Sequence, residues 1–264
     1  SMTPVYDQEK KKLYHQVGTL GGGNHFIEVQ RDEDGYIWFM IHSGSRNFGK
    51  QVCDYYNKVA KRLNESWYSS VDPKWDLAFL PLESDEGQMY QNEMSLALEF
   101  ALANRTLMAN RIIEIIKAVV DEDWQIVAET DVHHNYAAIE NHFGQNVMVH
   151  RKGATRARAG EVGIIPGSQG TCSYIVEGLG NPDSFMSCSH GAGRVMSRSK
   201  AKKELDLKEE QKRLDDKGIL HSIRGVGDLD EATSAYKDID EVMENQKDLV
   251  KIVHKLEPLA VVKG

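Results

Sequence analysis

Two hydrophobic periods divide the chain. Phe26-Ile27-Glu28-Val29 reads as a strand, "RDEDG" (32–36) as a turn, and "YIWFMIH" (36–42) as a second, more buried strand of β-branched and aromatic residues. That run stops at the small polar loop "HSGSRNFGK" (42–50), after which residues 50–65 carry an amphipathic helical pattern. Ser84-Asp85-Glu86 has the character of a helix start. The pattern then stays helical to about Val120, with Leu96, Phe100, Ala103 and Leu107 on one face and Met108, Ile112, Ile115 and Val119 beyond them. Its length leaves room for a break around Asn104.

From "DVHHNYAAIE" (131–140) onward the character changes. "VMVHRKGATRARAG", "VGIIPGSQG" and "CSYIVEGLG" are short strand-like segments separated by glycine turns. "SKAKKELDLKEEQKRLDDKG" (199–218) is a mixed-sign run that reads as a solvated helix with i,i+4 ion pairs. A helix near 238–250 and an alternating segment, "VKIVHKLEPLAVVKG", finish the chain. The pattern predicts an α+β fold, irregular, with short mixed strands flanked by helices. No repeat, low-complexity tract or linker divides it, so residues 1–264 are expected to form a single domain.

Composition narrows the class. Of 264 residues, 41% are hydrophobic and 27% charged, and the formal net charge is −8, which argues against a surface built for indiscriminate nucleic-acid binding but allows a local basic groove. No apolar run has the length of a membrane span, and no signal peptide is visible. Cys53, Cys172 and Cys188 are few and widely spaced, without CxxC, which fits a reducing, cytoplasmic setting better than a disulfide scaffold.

Four histidines lie in polar or glycine-rich surroundings: His25 in GGGNHF, His42 in HSGSR, His134 in HHN and His190 in SHGAGR. Any one of them is ordinary as a structural residue; together they point to a common site. Imidazole suits several divalent metals without choosing among them. Arg46, Arg151, Lys152, Arg156, Arg158, Arg194 and Arg198 fall in or beside the same loops, a combination suited to phosphate chemistry. The HSGSR and PGSQGT loops have the parts of an anion nest. His190 stands apart: Gly191, Ala192 and Gly193 leave its ring open to a bulky phosphate, and a neutral imidazole is a competent nucleophile. Arg194 would steady the charge if its side chain points inward. Read from the residues alone, this is phosphoryl or nucleotidyl transfer.

The motifs GTLGGGNHFIE, HSGSR, HHN, RKGATRARAG, GIIPGSQGT, SCSHGAGRVMSR, AYKDID and the terminal VKG, in this order, resemble the RtcB RNA ligases from about Val17 to Gly264. The resemblance implies GTP-dependent joining of 2′,3′-cyclic-phosphate or 3′-phosphate RNA ends to 5′-hydroxyl ends, as in tRNA splicing or RNA repair. It implies His190 as the catalytic residue that takes GMP. His25, His42 and His134 match ligands of a pair of Mn²⁺ ions. Asn24, His25, Phe26, Ile27, Glu28, His134, Asn135, Pro166, Gly167, Ser168, Gln169, Ser173, His190, Gly191, Ala192, Gly193 and Lys263 match the GTP pocket. In it Glu28 would accept from the guanine edge, Lys263 would offer its ammonium, and the Tyr236 ring would stack on the base. The basic residues of HRKGATRAR, with Arg46, become candidates for RNA phosphates, and an archease-type activator becomes a candidate partner.

Three departures qualify the resemblance. Gln169 stands where the family usually has Met, and Asn47-Phe48 where a small residue follows HSGSR. The family's earlier Asp-x-x-Cys pair, which supplies further metal ligands, has no counterpart: Lys50, Gln169 and Phe185 precede the three cysteines by three residues. The chain is therefore expected to begin after that segment, to bind Mn²⁺ weakly, and to be a poor ligase alone. Two rivals follow, a non-catalytic GTP- or RNA-binding fragment and a metal-dependent phosphoesterase.

Overall fold

The structure, a computed structural model, describes residues 1–121 and 123–264. The chain resolves into two compact units, one formed by Ser1–Gly21 with the segment from Ser43 through the long helix, the other by Gly22–His42 with Asp123–Gly264.

The first unit is helical. It contains α1 (Pro4–Gln16), α2 (Phe48–Ser66) and α3 (Asp85–Val119). Ser84 caps α3, its hydroxyl accepting from Gly87 N at 3.1 Å. Val5, Leu13, Phe48, Val52, Tyr56 and Ala97 form the core between the helices. The expected break at Asn104 does not occur. Its carboxamide is turned out of the helix and fully used: Oδ1 accepts from Gly18 N (2.6 Å) and Thr19 N (3.0 Å), while Nδ2 donates to Thr19 O, Ser43 Oγ and Gly44 O. An Asn bonded to other segments does not compete with its own helix backbone.

The second unit is built on a five-stranded sheet in the order β2-β1-β9-β7-β6. Its strands are β1 (Phe26–Arg31), β2 (Ile37–His42), β6 (Val162–Ile165), β7 (Ser173–Gly178) and β9 (Val250–Lys263). Two smaller ladders accompany it: β3 (Asn135–His142) with β4 (Gln145–Lys152), and β5 (Ala154–Arg156) with β8 (Ser187–Ser189). Every strand pair is antiparallel. The α+β class is as the pattern predicted, and the strands are indeed short, except that β9 runs 14 residues. Its first half pairs with β7 and its second with β1, so one strand joins both halves of the sheet.

The charged run 199–218 forms two helices, α4 (Arg198–Glu204) and α5 (Leu207–Asp215), because Leu205 is extended and Asp206 caps the second, accepting from Glu209 N at 2.9 Å. The expected i,i+4 pairs are present as Lys200–Glu204 and Lys212–Asp216. The helix expected near 238–250 is shorter, α6 (Ile239–Glu244). Among the described residues no helix is long and apolar enough to cross a membrane.

Candidate active site

Strand register assembles the site. In β3–β4 Asn135 faces Lys152, and in β5–β8 Ala154 faces Ser189. His134 and His190 each lie one position beyond those pairs, with Gly153 between the two ladders. The His134 and His190 rings stack with centroids 5.1 Å apart. On the sheet, Phe26 of β1 faces both His42 of β2 and Lys263 of β9. His42 lies 5.1 Å from His134 and 5.9 Å from His25, ring centre to ring centre. The four histidines singled out in the sequence thus form one continuous row of imidazoles.

His190 is oriented from behind. Gly153 has φ +72°, a left-handed conformation that favours glycine, and its Cα lies against the His190 ring, a Cβ there falling 3.4–3.5 Å from Cε1 and Nδ1. A hydrogen bond to the Gly153 backbone holds the ring on that side. Burial pulls the His190 pKa below its ordinary value, opposed by that bond. Burial, reinforced by nearby His134, His25, His190 and Lys263, pushes His42 down to about 3. Both rings are neutral at neutral pH.

A cavity of about 270 Å³ opens beside this row. Its walls come from Asn24, Phe26 and Glu28, from the Pro166–Gln169 turn, and from His190 through Arg194. His42, Arg198, Glu231, Tyr236 and Lys263 complete it. Of the residues matched to a nucleotide pocket, His25, Ile27, His134, Asn135 and Ser173 do not line it. Ile27 alternates to the opposite face of β1 from Phe26 and Glu28. Ser173 stands behind the turn, its hydroxyl accepting from Gly167 N at 3.2 Å. A Cβ on Gly167 would meet Cys172 O at 2.2 Å, so the turn tolerates no side chain there. The proposed anion nest in PGSQGT is closed from within: Gly167 N serves Ser173 and Ser168 N donates to Thr171 Oγ1 at 2.7 Å.

Two opposed groups meet at the sheet wall. Burial raises the Glu28 carboxyl from 4.5 to about 8, partly offset by the Gln30 amide at 2.6 Å and the Lys263 charge. Without a ligand Glu28 therefore carries a proton through most of the neutral range. Burial lowers the Lys263 pKa, opposed by the charges of Glu231 and Asp230.

The arginines divide into structural and available groups. Arg151 is removed from the candidates for RNA phosphates: its side chain is 1% exposed and bonds Glu140 bidentately at 2.6 and 2.9 Å. Arg156 is held the same way by Glu161. Lys152 and Arg158 remain exposed. Arg46 donates to Thr19 Oγ1 at 2.9 Å. Arg194 lines the cavity but is fully committed, to Met196 O, Asp230 O, Glu231 and the Tyr236 hydroxyl. Its guanidinium covers the Tyr236 ring at 5.0 Å. Sequence reasoning missed Glu231, which sits in no glycine- or histidine-rich motif; its only signal is that it lies five residues before Tyr236.

Imidazoles in their neutral form have the right donor chemistry for a divalent metal. Their geometry falls short: among the described residues no three His, Cys, Asp or Glu side chains converge to hold an ion. The side chains present therefore do not make a complete metal centre.

An α+β fold in which Arg198 and Lys263 line a cavity beside His190 has a pocket able to hold a small molecule. Comparison with known proteins is more specific. The sequence model described as tRNA-splicing ligase RtcB matches residues 1–264. The chain is 40% identical over 256 residues to the RNA-splicing ligase RtcB of Escherichia coli K12, an alignment covering 95% of this chain and 62% of that protein. It is 38% identical over 301 residues to the tRNA-splicing ligase RtcB of Methanococcus maripaludis, covering 99% and 62% respectively. With the RNA-splicing ligase RtcB of Mycobacterium tuberculosis H37Rv the identity is 35% over 298 residues, covering 98% and 67%. The chain belongs to the RtcB family. It spans about 62% of the length of the Escherichia coli and Methanococcus relatives.

Proposed function

We propose that this chain carries the nucleotidyl-transfer site of an RNA ligase that joins 2′,3′-cyclic-phosphate or 3′-phosphate ends to 5′-hydroxyl ends, using GTP. The observation that carries the reading is His190: a neutral imidazole at the cavity wall, one nitrogen secured by the Gly153 backbone, beside Arg198 and Lys263. Nε2 attacks the α-phosphorus of GTP, the α–β bridging bond breaks, pyrophosphate leaves, and a phosphoramidate forms. An oxygen of the RNA 3′-phosphate then takes the GMP, releasing the imidazole. The 5′-hydroxyl attacks the activated 3′-phosphorus, loses its proton and expels GMP, sealing the strand. A 2′,3′-cyclic end is first opened by water to the 3′-phosphate.

Arg198 and Lys263 in the cavity lining suit a polyphosphate. Glu28 would accept from the guanine edge once ionised. Mn²⁺, two ions in the resemblance, stays part of the proposal, with no step derived through it because its donors do not converge here. RNA with those end chemistries is the proposed substrate, an archease-type protein the proposed activator, and the cytoplasm the proposed setting.

Intact mass measurement after incubation with GTP and Mn²⁺ tests this. One acid-labile GMP on the wild-type chain, absent from His190→Ala, is expected. Retained GTP binding with no adduct in either form would favour the second reading, a non-catalytic nucleotide binder, for which the non-convergent imidazoles are the supporting observation.

A further inference from the structure

Glu231 ends the 3-10 turn Val226–Glu231, outside every motif that drew attention in the sequence. Its side chain is 4% exposed. Oε1 accepts from Arg198 Nε at 2.7 Å and from Arg194 Nη1 at 3.2 Å, and Oε2 accepts from the Tyr236 hydroxyl. Its backbone carbonyl accepts from Gln169 Nε2 at 2.9 Å. One residue therefore ties together the segment after His190, the start of α4, Tyr236 and the Pro166–Gln169 turn.

The two arginines it holds are not equivalent. Arg194 spends all its nitrogens inside the protein. Arg198 spends Nε on Glu231, its side chain is 51% exposed, and its Nη2 lies beside Gly23, 3.4 Å from where a Cβ would be. A guanidinium fixed through Nε presents its two terminal nitrogens as a preorganised fork, the shape that grips phosphate oxygens.

We infer that Glu231 is a positioning residue for phosphate binding, acting through Arg198: its buried carboxylate holds the Arg198 fork toward the cavity mouth, and Arg194 serves as internal scaffolding. The inference rests on the nucleotide reading above. It transfers to Arg198 the charge-steadying role that sequence reasoning gave to Arg194.

Binding of GTP and of guanosine, measured separately, tests it. Glu231→Ala is expected to weaken GTP binding about tenfold while guanosine affinity changes by less than about twofold, since a charge-assisted contact is lost only to the phosphates. The double variant Glu231→Ala/Arg198→Ala is expected to bind GTP no worse than Arg198→Ala alone. Glu231→Gln, which keeps an acceptor for Nε, is expected to recover part of the loss, and it carries the test if the alanine variant does not fold. Equal loss of GTP and guanosine, or additive losses in the double variant, would overturn the inference. A wild-type chain that binds no GTP would instead overturn the nucleotide reading, and this inference with it.

Discussion

Asn104 in the helical unit and Gln30 in the sheet unit are both carboxamides with no exposed surface, and the two units use them in opposite ways. Asn104 makes five hydrogen bonds that close the 18–19 and 43–44 loops onto α3. Glu93, equally buried, accepts from Tyr6 N at 2.6 Å and from the Tyr56 hydroxyl at 2.8 Å. Gln30 donates to Glu28 and has no partner at Oε1. Gln169 Oε1, Thr233 Oγ1 and His254 Nδ1 share that condition, and all four lie in the sheet unit. Satisfied buried polar groups hold a fold together; groups buried short of partners destabilise it and concentrate where something else must bind. The buried carboxamide of the helical unit is satisfied within that unit, whereas the sheet unit keeps an unpartnered acceptor on Gln169 in the cavity wall and another on Gln30, next to Glu28.

The comparison breaks first at Asn104. Asn104→Leu removes all of these bonds and takes from Gly18 N and Gly44 O the partner they have in Asn104, each such group costing on the order of 1 kcal/mol or more when left buried, while Thr19 N keeps Gln16 O and the Ser43 hydroxyl keeps Leu20 O. A loss of about 3 kcal/mol or more in denaturant unfolding is expected. A loss under about 1 kcal/mol would mean that the loops find water or other partners readily, and that the contrast between the units is not energetic.

Glu28 comes next, through pH. Its pKa is raised in the folded state, from 4.5 to about 8, so the folded chain holds a proton that the unfolded chain releases. The stability from that proton is fully present below about pH 4.5 and is lost as pH rises through about 8. Wild-type stability is therefore expected to fall between those limits by a few kcal/mol, at about 1.4 kcal/mol per pKa unit, and Glu28→Gln to flatten the profile. A guanine nucleotide that needs the carboxylate would expel the proton, so GTP binding near neutral pH is expected to release protons in calorimetry run in buffers of different ionisation enthalpy. Parallel pH profiles for the variant and the wild type would place the carboxyl in water rather than in the wall.

How much of this was legible in the sequence depends on whether the signal was local. Strands β1, β2 and β9 and the limits of α2 and α3 follow from periodicity and capping residues, and the histidine row from four polar or glycine-rich motifs. The continuity of α3 at Asn104 was not legible, because the partners of that side chain are 60 to 86 residues away in sequence. The same holds for Glu231, whose meaning comes from Arg194, 37 residues before it, and Arg198, 33 before it. Basic residues misled for a related reason. RKGATRAR gives no sign that Arg151 meets Glu140 across the β3–β4 ladder, eleven residues back, and only the register reveals it.

The smallest effect gives the sharpest version of the contrast. Gln30→Met removes one made hydrogen bond, to Glu28, and one acceptor that had no partner, while nearly keeping the volume of the side chain beside Met40. Removing the unpartnered acceptor offsets part of the cost of taking the donor away from buried Glu28, so a net loss of no more than about 1 kcal/mol at mildly acidic pH is expected. The same variant removes the one hydrogen bond that lowers the Glu28 pKa, so the pH at which the wild type weakens is expected to move higher. Methionine at position 30 and leucine at position 104 thus replace two carboxamides of equal burial with apolar groups. If both cost several kcal/mol, the Gln30 carbonyl has a partner that matters to folding, and the polarity of the sheet wall is structural rather than held for a ligand.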